Sequence, residues 1–61
     1  MFIEEYSIDT QHTTNTGKHT ATIELVEGVY TVNYEIDGVA DVQAEFKTLQ
    51  NARKYIDQNY L

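Results

Sequence analysis

The sequence predicts an α+β fold, in which a three- or four-stranded antiparallel β-meander is covered on one face by a single C-terminal α-helix. Three observations lead to this expectation. Apolar and polar residues alternate over residues 21–46, which is typical of strands with one buried face. Glu27-Gly28 and Asp37-Gly38 divide this stretch at the spacing of hairpin turns. After Phe46, apolar residues recur at the spacing of an amphipathic helix.

The length and the missing cysteines bound what the chain can be. With 61 residues we expect one domain, residues 1–61, near the lower size limit for a chain that folds without disulfides or metal. The sequence has no Cys, which excludes disulfides, a thiol nucleophile and a cysteine-based zinc site. Its opening shows neither a basic region nor a long apolar run, so we expect no signal peptide and no membrane span. A soluble, cytoplasmic protein is the expectation.

Charge is unevenly distributed along the chain. The formal net charge is −6, from ten acidic and four basic residues. Nine of the ten acidic residues precede Lys47, whereas three of the four basic residues lie at or after it. Nucleic acids and anionic membranes are bound mainly through cationic side chains, so the sequence disfavours both as direct partners. It favours a protein partner with a basic surface.

Residues 1–9 alternate as a strand would, with Phe2, Glu4, Tyr6 and Ile8 on one side and Ile3, Glu5 and Ser7 on the other. A short helical face through Phe2, Ile3 and Tyr6 is the alternative. As a strand, this segment would extend an edge of the meander or pair with a second copy. Residues 10–19 contain no apolar residue and predict a polar loop, which is either a solvated connection or a secondary contact site.

The alternating pattern also predicts the strand register. A two-residue turn at Glu27-Gly28 unites apolar residues in every cross-strand pair: Leu25 with Tyr30, Ile23 with Val32, and Ala21 with Tyr34. At the second turn, a two-residue Asp37-Gly38 connection would set Tyr34 against Asp41. We favour a three-residue turn through Val39, because it pairs Tyr34 with Val42, Val32 with Ala44 and Tyr30 with Phe46.

The helix is expected to begin after Thr48, which is a suitable N-cap. Its inner stripe is Leu49, Ala52, Ile56 and Tyr60, and its polar face is Gln50, Arg53, Lys54, Asp57 and Gln58. Tyr55 and Tyr60 are expected to complete the core rather than to stack on a ligand. The predicted core is Ile23, Leu25, Tyr30, Val32, Tyr34, Val42, Phe46, Leu49 and Ile56.

Residues that could carry catalysis or bind metal are few. Ser7 is the only serine, and His12 and His19 lie in or beside the polar loop, where solvent exposure is expected. Asp9, His12 and His19 do not have the spacing of a known metal site. Glu35, Asp37 and Asp41 could hold Ca²⁺ weakly, but a solvated acidic turn is the expected arrangement. We therefore expect that the protein is not an enzyme and that it binds neither a metal ion nor a cofactor.

The outer face of the sheet, away from the helix, is the most informative surface. The predicted register aligns Glu24–Thr31–Glu45, Thr22–Asn33–Gln43 and Thr20–Glu35–Asp41 in rows across the three strands. Glu35 opposite Asp41 would cost stability, with no basic side chain on that face to relieve it. Val26, Val29 and Tyr6 are candidate apolar anchors. The face is either an ordinary hydrated surface or a platform for a basic partner.

The segment Phe46–Asp57, following a short meander, resembles the end of many small uncharacterised proteins encoded by phages and prophages. This resemblance implies an accessory protein that binds and inhibits a host enzyme. Some acidic proteins of this kind imitate nucleic acid to block anti-phage defences. The resemblance would place the protein in the host cell cytoplasm.

Together these observations predict a non-enzymatic inhibitor that docks its carboxylate-rich sheet face on a basic protein. The alternative is a self-assembling structural protein, a homodimer through its N-terminal strand or a sheet edge, in which acidity serves only solubility. The predicted partner-binding residues are Glu24, Val29, Thr31, Asn33, Glu35, Asp41, Gln43 and Glu45.

Overall fold

A computed structural model of the chain describes residues 1–8 and 17–61. Four strands and one helix follow each other along the chain: β1 (Phe2–Ser7), β2 (His19–Val26), β3 (Val29–Ile36), β4 (Val39–Phe46) and α1 (Leu49–Asn59). The strands form one antiparallel sheet in the order β1-β2-β3-β4. The predicted α+β meander with a C-terminal helix is confirmed, and β1 adds to the edge of the meander as a strand.

Two tight turns set the register of the central strands. Glu27 and Gly28 have φ values of 51° and 80°, and Asp37 and Gly38 have φ values of 53° and 82°. Two consecutive positive φ angles are typical of the two-residue hairpin turn that matches the twist of the strands. Around the first turn, every predicted pair between β2 and β3 is confirmed.

The second hairpin reaches the predicted pairs by another route. Val42, Ala44 and Phe46 lie opposite their predicted partners on β3, but the turn has two residues, with Ile36 opposite Val39. The extra residue is absorbed by an irregularity of β4 at Asp41, between the Val42 pair and the pair of Glu35 with Ala40. The predicted three-residue turn is therefore wrong, although its consequence for the core face is right.

The core lies between one sheet face and α1. Its fully buried members are Ala21, Ile23, Val32, Ala52 and Ile56. Partly buried side chains pack around it: Ile3, Tyr6, Ile8, Tyr30, Phe46, Leu49, Tyr55 and Tyr60. The aromatic rings extend the core along α1, with Tyr34 to Tyr60 at 4.6 Å and Phe46 to Tyr55 at 5.1 Å between ring centroids. Tyr55 and Tyr60 thus complete the core, as predicted.

Val42 is a wrong core prediction, since it is 44% exposed. It lies opposite Tyr34 on the edge strand, so one of its flanks has no neighbouring strand among the described residues. The Tyr34 ring packs on Tyr60 of the helix C-cap instead. Side-chain pattern alone did not distinguish this edge position from its buried counterpart Val32, which is 1% exposed.

The helix has the predicted N-cap. Thr48 is extended and its hydroxyl oxygen accepts the N–H of Asn51 at 3.1 Å, which satisfies one of the free donors of the first turn. The polar face of α1 is exposed throughout, at Gln50, Arg53, Lys54, Asp57 and Gln58. In the part of the chain that the structure describes, no helix is long and apolar enough to cross a bilayer.

A polar cluster joins α1 to β1 across the edge of the sheet. Arg53 Nε donates to Glu4 Oε1 at 2.8 Å, and the Tyr6 hydroxyl donates to the other carboxylate oxygen. The Tyr6 hydrogen bond, followed by the contact with Arg53, lowers the pKa of Glu4. Glu4 lies opposite Ile23, on the helix side of the sheet, so its charge serves the fold and not the outer face.

Candidate functional surface

The outer face of the sheet is the face opposite α1. The register places three rows of side chains on it, running from β1 to β4. They are Phe2–Glu24–Thr31–Glu45, Glu5–Thr22–Asn33–Gln43 and Ser7–Thr20–Glu35–Ala40. Glu24, Glu35 and Glu45 thus lie on one face, and six of the eight predicted partner-binding residues belong to these rows. Val29, opposite Val26, continues the same face next to the first row. The exception is Asp41.

Short polar side chains form the floor of this face. Thr20, Thr22, Thr31 and Asn33 are only 7–8% exposed, although α1 does not cover them. Two hydrogen bonds fix the floor: Thr22 Oγ1 donates to Glu35 Oε2 at 3.1 Å, and Gln43 Nε2 donates to Asn33 Oδ1 at 3.0 Å. Side chains that are already fixed lose little conformational entropy when a partner docks, which favours binding.

The carboxylates of the outer face stand around this floor, and none of them forms an ion pair with a described residue. Within residues 1–8 and 17–61, the one ion pair is that of Arg53 with Glu4 on the helix side. Glu5 and Glu45 are exposed, whereas Glu24 and Glu35 are partly covered by their neighbours. Lys47 lines the same shallow depression as Glu45, so a cation does border the face at this end, contrary to expectation. The face as a whole keeps its negative charge.

The sequence predicted Asp41 opposite Glu35, but the structure does not place it there. The irregularity in β4 removes it from the ladder and sets Ala40 against Glu35. Its charge instead contributes to raising the pKa of Tyr60, which burial raises most, to about 12. The expected repulsion between Glu35 and Asp41 is wrong, because the two side chains are not cross-strand neighbours.

Phe2 is a candidate contact residue that the sequence pattern missed. A register shift between Phe2 and Glu4 places Phe2 opposite Glu24 on the outer face, where it is 60% exposed. Ile3 packs against the core instead. Unbroken alternation would have put Phe2 on the helix side, so a bulge was the missing signal. Tyr6, predicted as an anchor, is on the helix side and bonded to Glu4.

Two further apolar residues border the acidic rows near the first turn. Val26 lies opposite Val29, and Val26 is 48% exposed. Val29 also lines an open depression of about 240 Å³ together with Glu45, Phe46 and Lys47. Of the predicted apolar anchors, Val26 and Val29 therefore have the expected position. The depression is shallow and open, and its lining suits an apolar side chain of a partner better than an enclosed small molecule.

His19 is buried, contrary to the expectation of a solvent-exposed loop residue. It begins β2 and is 4% exposed, its Nδ1 hydrogen-bonds the Tyr34 hydroxyl, and its ring meets the Tyr34 ring edge-on. Nε2 has no hydrogen-bond partner among the described residues. Asp9 and His12, which were considered with His19 as metal ligands, lie outside the described residues, as does most of the predicted polar loop.

The acidic residues near the second turn are engaged separately. Asp37 Oδ1 accepts the backbone N–H of Lys18 at 2.8 Å, while Glu35 accepts from Thr22. Across residues 1–8 and 17–61, no three potential metal-ligating side chains come together. Glu35, Asp37 and Asp41, the three residues considered for Ca²⁺, therefore do not converge on one point among the described residues.

The outer face thus combines a fixed polar floor, carboxylates that form no ion pair within the described part of the chain, and exposed apolar side chains at one end. This arrangement is suited to contact with a cationic, partly apolar surface. No protein-family model matches this chain, and no curated protein and no solved structure is significantly similar to it.

Proposed function

We propose that this chain is a small non-enzymatic protein-binding module whose outer sheet face docks on a basic surface of another protein. The observation that carries the proposal is the shared location of Glu24, Glu35 and Glu45 on a face that α1 leaves open. If the target uses its basic surface to bind nucleic acid, occupation of that surface inhibits it by competition. A phage-encoded inhibitor of a host defence protein would work in this way.

Charge and apolar contacts have different roles in this interaction. The net charge of −6 attracts a cationic partner over distances of about a Debye length and raises the association rate. Carboxylates at the rim add orientation more than affinity. Affinity in protein interfaces comes mainly from a few buried apolar or aromatic side chains. Phe2, at 60% exposure beside Glu24, is the aromatic side chain placed to act in this manner.

A charge-matched pair of variants tests the proposal. Glu24→Gln/Glu35→Gln/Glu45→Gln removes three negative charges from the outer face. Asp57→Lys/Gln58→Lys changes the net charge by the same amount on the exposed polar side of α1. Tagged copies of the wild type and both variants are used to capture proteins from lysate, followed by washes of increasing salt.

The expected result is a captured protein that the wild type and the helix variant retain equally, that the outer-face variant loses, and that high salt elutes. Equal retention by both variants, or retention that does not depend on salt, would contradict electrostatic docking on this face. Circular dichroism of all three proteins verifies that the variants fold.

Self-assembly is the second candidate, favoured by the exposure of Met1 (72%) and Phe2 (60%) at the start of edge strand β1. In that case light scattering of the wild type at two concentrations gives a rising mass. Phe2→Asp should then return the mass to that of the monomer, and the outer-face variant should leave it unchanged. A constant monomer mass for the wild type excludes this candidate.

A further inference from the structure

Strand β4 presents the more open edge of the sheet. It is the last strand in the order β1-β2-β3-β4 and has eight residues, as many as the central strands. Only β3 pairs with it among the described residues, and all residues from Val39 to Gln43 are exposed. An unpaired edge strand presents backbone N–H and C=O groups that can form a further row of hydrogen bonds.

The opposite edge is better protected. β1 has six residues, and a register shift interrupts its pairing at Ile3. Three of its side chains also contact the rest of the domain: Glu4 binds Arg53, and both Ile3 and Tyr6 pack against the core. A strand from a partner would therefore meet fewer obstacles along β4 than along β1.

The side chains of β4 specify what kind of strand fits beside it. Val42, 44% exposed, and Val39, 70% exposed, lie on the helix side, while Glu45 lies on the outer face. Asp41 adds a second carboxylate, and residues 39–46 contain no basic side chain. A complementary strand presents apolar residues on the helix side and lysine or arginine on the outer face, in alternation.

We infer that β4 accepts an extended, alternating basic and apolar segment of the partner as a fifth strand of the sheet. The inference rests on the proposed function, because the segment belongs to the basic protein that the outer face binds. Lysine or arginine side chains on the added strand meet Glu45 and extend the acidic rows, while apolar side chains cover Val42. Backbone hydrogen bonds then supply affinity, and the alternation supplies specificity.

Charge argues against a second copy of this chain as the occupant. Two molecules of net charge −6 repel each other. Antiparallel self-pairing centred on Gln43, which would use most of β4, sets Asp41 opposite Glu45 at two places by the sequence spacing. The irregularity at Asp41 also limits the regular ladder to residues 42–46. A short cationic strand meets neither charge obstacle, and it can pair within the regular ladder of residues 42–46 alone.

Two synthetic peptides test the inference on the unmodified protein. The first is a short, end-capped peptide of alternating lysine and valine. The second has the same sequence, but its backbone nitrogens are methylated, so that charge and side chains are kept and the N–H donors are lost. Fluorescence anisotropy gives both affinities. Amide hydrogen exchange followed by NMR shows which backbone groups of β4 become protected.

The first peptide should bind at least about tenfold more tightly than the methylated one, because several ladder hydrogen bonds distinguish them. Exchange should slow at alternate amides within residues 42–46, namely those that do not bond to β3. As a charge-matched comparison, Asp41→Asn/Glu45→Gln should weaken binding severalfold, whereas Asp57→Lys, with the same change in net charge, should not.

The outcomes separate this inference from the function on which it rests. Equal affinity of the two peptides, or no protection along β4, overturns strand addition. Electrostatic docking would still be supported in that case if the outer-face variant failed to retain the protein captured from lysate by the wild type. Absence of any peptide binding overturns strand addition as well. Preferential binding of the unmethylated peptide with β4 protection, combined with equal retention of the captured lysate protein by the outer-face variant and the helix variant, would support strand addition and contradict the role of the outer face. A mass that rises with salt, without peptide, would identify a second copy as the occupant and overturn the inference.

Discussion

Val32 and Val42 provide the sharpest test of the fold, because the sequence predicts both as core and the structure separates them. They lie on adjacent strands and on the same sheet face, but Val32 is 1% exposed and Val42 is 44% exposed. Val32→Ala removes two fully buried methyl groups, a transfer cost of about 1.6 kcal/mol at about 0.8 kcal/mol per group. The cavity that remains raises the loss to about 2–3 kcal/mol.

Val42→Ala should cost far less. Nearly half of its surface is already in water, so roughly half of the transfer cost applies, about 0.8 kcal/mol, and no enclosed cavity forms. A chain of 61 residues has a total free energy of unfolding of about 3–9 kcal/mol at typical stability per residue. The buried substitution thus removes a large part of the stability, and the exposed one a small part.

Urea denaturation followed by circular dichroism measures both losses. The two variants should differ by about 1.5 kcal/mol, and their melting temperatures by about 6–12 °C for a domain of this size. Unchanged m-values would show that both variants unfold from an equally compact native state. Losses that agree within about 0.5 kcal/mol would refute the placement of Val42 at an open edge, and with it the accessibility of β4.

Three further predictions concern single side chains. Glu4→Gln should destabilise the protein near neutral pH but should cost less at about pH 3. Folding lowers the pKa of Glu4 below its usual value of 4.5. The resulting stabilisation is therefore present above pH 4.5 and is lost as the pH falls through the pKa of the folded state. An equal cost at both pH values in urea titrations would contradict this. Tyr60, whose pKa burial raises to about 12, should ionise after the usual 10.0 in an ultraviolet titration, so its stabilisation is complete below that pH and is lost as the pH rises through about 12. The hydrogen bond with Glu4 also raises the pKa of Tyr6, so Tyr60→Phe should reduce the late absorbance change by the amount of one tyrosine rather than abolish it. An unchanged amplitude would assign the step to another tyrosine. Glu27→Asn should raise the free energy of unfolding by about 0.5–1 kcal/mol, because Asn tolerates the φ of 51° better; a destabilised variant in the same assay would show that the Glu27 side chain has contacts that matter more.

The central part of the fold could be predicted because several signals agree there. Each pair between β2 and β3 joins residues that belong on the same face, and Glu27-Gly28 fits only a short hairpin turn. A register slip by one residue would expose the apolar row, so the pattern alone specifies the pairing. The helix could be predicted equally well, because the N-cap residue Thr48 and the apolar spacing after it both indicate where α1 begins.

The edge strands and His19 were not predictable in the same way. A bulge adds one residue without breaking the apolar–polar pattern on either side, so the sequence does not show where Phe2 and Asp41 leave the alternation. His19 stands in a polar stretch and has no apolar neighbours in sequence to signal burial. Its ring contacts Tyr34 on β3, a neighbour that only the strand pairing brings near, and Ile8, just after β1, donates its N–H to the His19 carbonyl oxygen.

The two irregular edges change which feature of the outer face requires a functional explanation. Without the bulge in β4, Glu35 and Asp41 would repel each other directly, and such a cost would itself suggest selection for charge. In the structure Glu35 faces Ala40 and accepts a hydrogen bond from Thr22, while Thr31 separates Glu24 from Glu45, so the acidity is inexpensive to maintain. Phe2 is different, because a chain this short has few large apolar side chains with which to build its core. Exposing Phe2 next to a row of carboxylates is therefore a second indication of a binding surface, independent of the charges. We expect Phe2→Ala to be as stable as the wild type and to bind the partner less tightly, and equal binding by the two proteins would contradict this role of Phe2.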